Sequence, residues 1–236
     1  MEEFHNVMAT PTATRPLMGL TVLAVEDSRF ASDALRLICL KSGARIRRAD
    51  CVASARRHLR VYRPSVAVVD LGLPDGSGLD LIRDLNRATP RVDVLLAISG
   101  DTHLCHAARA AGADRFLEKP LTSVAAFQDA VLGVLPKDRS PNGPRSIPTG
   151  SICPDPIAFA DDLAHASDVL GQAQDEKTIA YVAQFLSGVA RCAEDRGLIR
   201  ATDELISTIH RGNPNHVLLS RVAGLVQDRL SKREAV

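Results

Sequence analysis

The sequence predicts an α/β fold, a doubly wound five-stranded parallel sheet, followed by a small all-α domain. Three observations predict it. In the first half of the chain, short apolar runs alternate with helix-like segments. A segment rich in proline and glycine then interrupts the pattern. Beyond that segment, apolar residues recur only at helical spacing.

Five apolar runs are the predicted strands. Three of them are rich in Val, Ile or Leu, which is typical of strands buried on both faces of a sheet. The second run is more polar, which suits a strand at the edge. The runs are Thr21–Val25, Ile46–Ala49, Val66–Leu71, Val92–Ser99 and Arg115–Glu118.

The segments between these runs are the predicted helices. Gly43 and Gly112 stand where a helix should end, and Ser28 stands where a strand passes into a helix. Parallel strands need crossover connections, so the helices should cover both faces of the sheet. The predicted helices are Ser28–Lys41, Leu79–Arg87, His103–Ala111 and Leu121–Leu135.

Composition divides the chain into four parts. We expect a flexible leader over residues 1–18, the α/β domain over 19–136, a linker over 137–156 and a helical output or dimerisation domain over 157–236. The linker is rich in helix breakers and poor in apolar anchors, as semi-extended linkers are. Residues 151–236 carry nine basic and twelve acidic residues.

Overall composition excludes several classes of protein. The net charge is +1, which excludes a strongly basic nucleic-acid binder. No uncharged apolar run approaches the roughly 18 residues of a membrane span, and the N-terminus lacks the order of a secretory signal. Five widely spaced cysteines without a CxxC pair indicate reduced thiols rather than a disulfide framework or a zinc site. We therefore expect a cytoplasmic protein without a membrane partner.

Polar residues stand at the ends of four predicted strands. The first strand ends in Glu26 and Asp27, the third in Asp70, the fourth in Ser99 and the fifth in Lys119. In a doubly wound sheet, ligands bind beyond these carboxyl ends. Clustered carboxylates repel one another unless a cation sits among them, and an oxygen-only ligand set suits Mg²⁺. With such a cation and a lysine present, one carboxylate can attack a phosphoryl group while a hydroxyl and an ammonium hold its oxygens.

Four sequence motifs resemble the receiver domain of bacterial two-component response regulators. The resemblance covers about residues 19–136 and implies a flavodoxin-like receiver with strand order 2-1-3-4-5. The motifs are VLAVEDS at 22–28, VVDLGLPDGSGL at 68–79, AISG at 97–100 and GADRFLEKP at 112–120.

The resemblance implies a phosphoacceptor and a metal site. Asp70 matches the phosphorylated aspartate. Glu26, Asp27, Asp70 and the main-chain carbonyl of Gly72 would hold Mg²⁺, with Mn²⁺ as a substitute, and Asp27 is preferred over Glu26 as the direct ligand. Gly72 departs from the bulkier residue that many receivers carry there, which bears on how readily water reaches the phosphoaspartate.

The resemblance also implies a switch. Ser99 matches the hydroxyl that follows the phosphoryl group, and Phe116 matches the aromatic residue that changes rotamer with it. Lys119 matches the lysine that pairs with the phosphate, and Pro120 matches a proline preceded by a cis peptide bond. Asp70, Ser99 and Lys119 together would support self-catalysed phosphotransfer and dephosphorylation, so the resemblance implies a phospho-accepting signalling protein rather than an enzyme.

The implied phosphodonor is a sensor histidine kinase or a histidine phosphotransfer protein. Two hypotheses remain for the helical half. In the first, it is a protein-interaction or dimerisation module controlled by phosphorylation of Asp70, its partner a second copy or another protein. In the second, it is an atypical nucleic-acid-binding output domain. The acidic balance of the helical half disfavours the second.

Taken singly, these residues have structural alternatives. Glu26 and Asp27 precede Ser28 and could simply favour a helix N-terminus. Lys119 could be a solvated surface lysine. Phe116 could be an ordinary core residue.

His165, on or near the edge of an apolar helical stripe, could relay phosphate as in histidine phosphotransfer domains. The lysine and glycine usually found three and four positions later are Asp168 and Val169 here, which disfavours that role.

Overall fold

The computed structural model describes residues 10–136, 145–146, Ile152, 154–172, 175–211 and 216–234. Five parallel strands form one sheet in the order β2-β1-β3-β4-β5, which confirms the predicted α/β fold and strand order. β2 lies at one edge, where most of its residues are exposed. The strands are β1 (Thr21–Val25), β2 (Arg45–Ala49), β3 (Val66–Asp70), β4 (Val94–Ser99) and β5 (Arg115–Glu118).

Helices cover both faces of this sheet. One apolar cluster joins the sheet to α1 and α5, and a second joins it to α2, α3 and α4. The sequence pattern gives no prediction for α2, because only Val52 and Ala55 of this helix are buried. The helices are α1 (Arg29–Ser42), α2 (Val52–Val61), α3 (Gly78–Arg87), α4 (Cys105–Ala111) and α5 (Val124–Leu132).

Capping residues set the ends of these helices. The Ser28 hydroxyl accepts a hydrogen bond from the Ala31 amide at 2.9 Å and starts α1. Gly112 takes a left-handed conformation and ends α4. The helix predicted from Leu121 begins at Val124 instead, because the Ser123 side chain caps it.

Two residues outside the predicted bounds of the α/β domain are buried in its core. Leu17, within the predicted flexible leader, is fully buried, and its amide donates to the carbonyl of Ser42 at 2.9 Å. Ile152, within the predicted linker, joins the same cluster. Burial of a large apolar side chain contributes about 1.5–3 kcal/mol, so the packed chain begins before residue 19. Residues 1–9 of the predicted leader and most of the predicted linker lie outside the described residues.

Within the described residues from 154 to 234, four helices form a bundle, which confirms the predicted small all-α domain. α6 contacts α7 and α9, and α8 also contacts both of these helices, so the bundle is closed. None of the helices in the described residues is long and apolar enough to cross a membrane. The helices are α6 (Pro156–Gln172), α7 (Glu176–Cys192), α8 (Arg196–His210) and α9 (His216–Glu234).

The bundle packs against the α/β domain at the carboxyl ends of its strands. α6 and α7 both contact α1, and α7 also contacts the short hairpin that follows β3, formed by Gly72–Leu73 and Gly76–Ser77. The Phe30 ring of α1 and the Phe159 ring of α6 have centroids 5.6 Å apart. The bundle therefore lies on the edge of the sheet where the predicted site is found.

We expect Gly112→Ala to destabilise the fold. Gly112 has a φ of 112°, and a Cβ there would lie 2.3 Å from Cγ of Asn86. The free energy of unfolding should fall by more than about 1 kcal/mol, measured by urea unfolding with circular dichroism. Gly224→Ala in α9 is the control, because a Cβ there meets no atom within 4 Å and should add about 0.5–1 kcal/mol. An unchanged urea midpoint for Gly112→Ala would contradict this account.

Candidate functional site

Three carboxylates meet at the carboxyl edge of the sheet. Glu26 and Asp27 follow β1, and Asp70 ends β3. β1 and β3 are neighbouring parallel strands with Val25 paired to Val69, so the residues at their ends lie side by side. One oxygen of each carboxylate lies within 4.8 Å of the others. The structure thus brings together the three acidic residues singled out from the sequence.

Lys119, which follows β5, points into this cluster. Its Nζ lies 2.7 Å from Oε2 of Glu26 and 2.9 Å from Oδ2 of Asp70. Only 6% of its surface is exposed, which excludes the alternative of a solvated lysine. Burial alone would lower the pKa of Lys119, but the charges of Asp70 and Glu26 outweigh burial and raise it well above its usual value. The ammonium therefore stays charged. The peptide bond between Lys119 and Pro120 is cis, as predicted.

The cluster carries more negative than positive charge. Burial, with the charge of Asp70 next in importance, raises the pKa of Asp27 to about 6. Burial also raises the pKa of Glu26 well above its usual value, although Lys119 opposes the change. Buried carboxylates that share one ammonium are stabilised by a further cation, and their oxygen-only donor set fits Mg²⁺. The residues present therefore suit the metal predicted from the sequence.

Other predicted site residues lie around the same cavity, whose volume is about 590 Å³. Ser99 and Gly72 both line the cavity next to Asp70. The Ser99 hydroxyl accepts a hydrogen bond from the Asp101 amide at 3.0 Å. Phe116 is half-buried against the apolar cluster of α2, α3 and α4 and is not among the lining residues. Its proposed change of rotamer stays a prediction.

The helical bundle supplies the opposite wall of the cavity, which the sequence analysis missed. The Tyr181 hydroxyl of α7 donates a hydrogen bond to Oδ2 of Asp27 at 2.9 Å. One turn further along α7, Gln184 lines the cavity, and a Cβ added to Gly72 would lie 3.6 Å from its Oε1. Tyr181 is partly buried against the core of the bundle, and no motif in the sequence marks it as a site residue.

Arg191 and Asp203 close the cavity at the side of α8. The Arg191 guanidinium holds both Asp203 oxygens at 2.8 Å. A Cβ added to Gly100, the residue after β4, would lie 3.3 Å from Cδ of Arg191. A second cation thus lies at the edge of the cavity, already paired with a carboxylate.

His165 lies outside this cavity. It is exposed on α6, and its ring packs edge-on against Phe185 with centroids 5.6 Å apart. In the part of the chain that the structure describes, the cysteines Cys39, Cys51, Cys105 and Cys192 are free thiols. Cys153 lies outside the described residues.

A family model of the response regulator receiver domain matches residues 22–131. Residues 22–131 are a response regulator receiver domain. The chain is similar to the KDP operon transcriptional regulatory protein KdpE of Escherichia coli (33% identity over 99 residues, 42% of this chain and 44% of KdpE). It is also similar to the virulence transcriptional regulatory protein PhoP of Salmonella typhimurium (31% identity, 43% of this chain and 46% of PhoP). The chain therefore spans less than half the length of these curated relatives.

Among solved structures, the chain is similar in fold to a response regulator from Thermotoga maritima. The alignment covers 53% of this chain and 98% of that one, with 24% sequence identity and a TM-score of 0.44. The family match accounts for the receiver domain and ends before the bundle begins at α6. The contacts of the bundle with the receiver site must therefore be interpreted from the residues of this chain.

We expect Asp27→Asn to stabilise the protein in cation-free buffer at neutral and alkaline pH. The folded state raises the pKa of Asp27 to about 6, so its favourable contribution is complete below about pH 4 and is lost as the pH rises through about 6. Asparagine avoids that loss and still accepts the hydrogen bond from Tyr181. The free energy of unfolding should rise by about 1–3 kcal/mol at pH 8, measured by urea unfolding with a chelator present.

At pH 4 the difference between Asp27→Asn and the wild type should vanish, because both residues are then neutral. Asp84→Asn, at an exposed position of α3, is the matched control and should change stability little. An Asp27→Asn protein that is no more stable than the wild type at pH 8 would show that Asp27 is not under charge strain.

Proposed function

We propose that this chain is a two-component response regulator that accepts a phosphoryl group on Asp70 in a Mg²⁺-dependent reaction. The observation that carries the proposal is the position of Asp70, where a carboxylate at the end of β3 faces the Lys119 ammonium inside an oxygen-only cluster. A histidine kinase or a histidine phosphotransfer protein is the proposed donor, since receivers in this family interact with histidine kinases.

The chain's own residues account for the transfer. An Asp70 oxygen attacks the phosphorus of the donor phosphohistidine as the phosphorus–nitrogen bond breaks, and the imidazole nitrogen keeps the electron pair. Lys119 balances the charge of the transferred oxygens, and Ser99 donates a hydrogen bond to one of them. Glu26, Asp27, Asp70 and the Gly72 carbonyl would hold Mg²⁺, which neutralises developing charge on the phosphoryl group when bound.

Phosphorylation would then act on the helical bundle. The phosphoryl oxygens draw Ser99 inward, Phe116 turns into the vacated space, and the receiver surface changes. The bundle contacts the receiver through α6 and α7, so a change at the carboxyl edge of the sheet would alter the packing of the bundle on the receiver. We propose that the bundle is a protein-interaction or dimerisation module whose availability depends on the state of Asp70.

The second candidate is a nucleic-acid-binding bundle. The curated relatives KdpE and PhoP are transcriptional regulatory proteins, which favours this candidate. The similarity to these relatives covers 99 and 102 residues, less than half of either chain. Binding of duplex DNA that weakens steeply between 50 and 200 mM salt, by about a thousandfold or more, would support this candidate. Weak, salt-insensitive binding would favour the protein module.

We expect Asp70→Asn to abolish phosphorylation while the fold is retained. The wild type incubated with Mg²⁺ and acetyl phosphate should gain the mass of one phosphoryl group, measured by intact mass spectrometry. Asparagine lacks the nucleophilic carboxylate oxygen, so the variant should gain none. Asp84→Asn is the control, because it makes the same change on the exposed face of α3.

Labelling of Asp70→Asn to the wild-type extent would reject Asp70 as the acceptor. No labelling of the wild type with either acetyl phosphate or a phosphorylated histidine protein would reject the proposed reaction. Size-exclusion chromatography of the same samples tests the dimerisation module, since a dimeric module should change the apparent size on phosphorylation.

A further inference from the structure

Asp162 of α6 binds the N-terminus of α1. Its carboxylate accepts hydrogen bonds from the Ser28 hydroxyl at 2.6 Å, the Arg29 amide at 2.8 Å and the Phe30 amide at 3.0 Å. The first amides of a helix have no partner within the helix, and a negative charge there is stabilised by the helix dipole. Asp162 is only 2% exposed, so this contact is an internal part of the interface between bundle and receiver.

Tyr181 of α7 makes another polar contact of this interface, in addition to those of Asp162 and the surface ion pair between Arg29 and Asp161. Its hydroxyl donates to Oδ2 of Asp27 at 2.9 Å. Burial and the nearby Asp27 charge raise the pKa of Tyr181 above its usual value, so the hydroxyl keeps its proton and acts as the donor. The bundle therefore gives the Asp27 carboxylate a hydrogen bond at the position where the receiver would use that carboxylate to hold a cation.

Gly188 lets α7 approach the centre of the cluster. A Cβ added to Gly188 would lie 3.9 Å from both Cδ and Nζ of Lys119. The helix thus lies directly over the ammonium that pairs with Asp70. Mg²⁺ keeps several waters when it binds carboxylates. A hydrated cation bound to Asp27 would therefore compete with the Tyr181 hydroxyl for the space beside Oδ2.

We propose that the four-helix bundle is an intramolecular ligand of the receiver's acidic site that competes with a divalent cation. Tyr181 is the competing group and Asp162 anchors the bundle beside it. By thermodynamic linkage, cation binding weakens the docking of the bundle by the same factor by which docking weakens cation binding. The inference rests on the proposed function only in taking the acidic cluster as a cation site.

The first test is the Mg²⁺ affinity of full-length variants, measured by isothermal titration calorimetry. Tyr181→Phe removes a hydrogen bond to a charged group, so it should bind Mg²⁺ about tenfold more tightly than the wild type. Asp162→Ala should also bind more tightly, because it releases the bundle. Loss of the Asp162 charge without release would weaken cation binding instead, so the sign of this change is diagnostic. Tyr62→Phe, which removes the hydroxyl of the other tyrosine, is the matched control and should bind as the wild type does.

The second test observes Tyr181 itself. The chain has two tyrosines and no tryptophan, so Tyr181 is the sole strong intrinsic fluorophore of Tyr62→Phe. Its emission should change on titration with Mg²⁺, with the midpoint found by calorimetry, as the bond to Asp27 breaks. Hydrogen exchange at the Arg29 and Phe30 amides should accelerate at the same Mg²⁺ concentrations, because Asp162 leaves the helix N-terminus.

The outcomes separate this inference from the proposed function. Equal Mg²⁺ affinity of the wild type, Tyr181→Phe and Asp162→Ala would overturn the competition and leave the cation site intact. Weaker binding in Asp162→Ala would also overturn it. Absence of Mg²⁺ binding in every variant would overturn the cation site itself and, with it, the competition.

Discussion

The buried ammonium of Lys119 is the interaction on which the acidic site depends. An unpaired carboxylate in a protein interior costs several kcal/mol, and Glu26 and Asp70 are both almost fully removed from solvent. Lys119 reaches both of them from the end of β5, across β4, and so allows Glu26 and Asp70 to lie close together in the interior. One ammonium cannot neutralise three carboxylates. The charge that remains, centred on Asp27, is what a metal cation, a proton or the Tyr181 hydroxyl can stabilise.

The receiver fold and the residues at the carboxyl edge of its sheet could be predicted from the sequence, because both follow from local patterns. Short strands rich in branched apolar residues predict a parallel sheet, and the residues that follow such strands must meet at one edge. Lys119 could therefore be placed near Asp70, 49 positions away, without knowledge of a side-chain contact. The pattern failed where local signals are weak, as in α2 with its few buried residues, and at Leu17, whose isolated position hides its role in the core.

The contacts between bundle and receiver could not be predicted in this way. Asp162 and its partner Phe30 are separated by 132 positions, and Tyr181 and Asp27 by 154. No periodicity or capping rule relates residues in two separately folded regions. Tyr181 packs partly against the core of its own bundle, and in the sequence Asp162 resembles any acidic residue on a helix surface. Asp162 and Tyr181 contact the receiver only when the bundle packs against it. That packing depends on the shape and charge of the two surfaces.

The contacts between bundle and receiver depend on how the two pack together. The family match therefore gives information about the receiver half of the chain and none about the helical half. The family model covers residues 22–131 and ends before α6, so it bears on the chemistry proposed for Asp70 and not on the bundle. The response to phosphorylation depends on what covers the receiver, and here α6 and α7 cover it through Asp162 and Tyr181. Tyr181 binds the carboxylate that the proposed reaction would use for its cation, so under the proposed competition phosphorylation is coupled to displacement of part of the bundle. In that case the energy that holds the bundle closed also sets the threshold for phosphorylation.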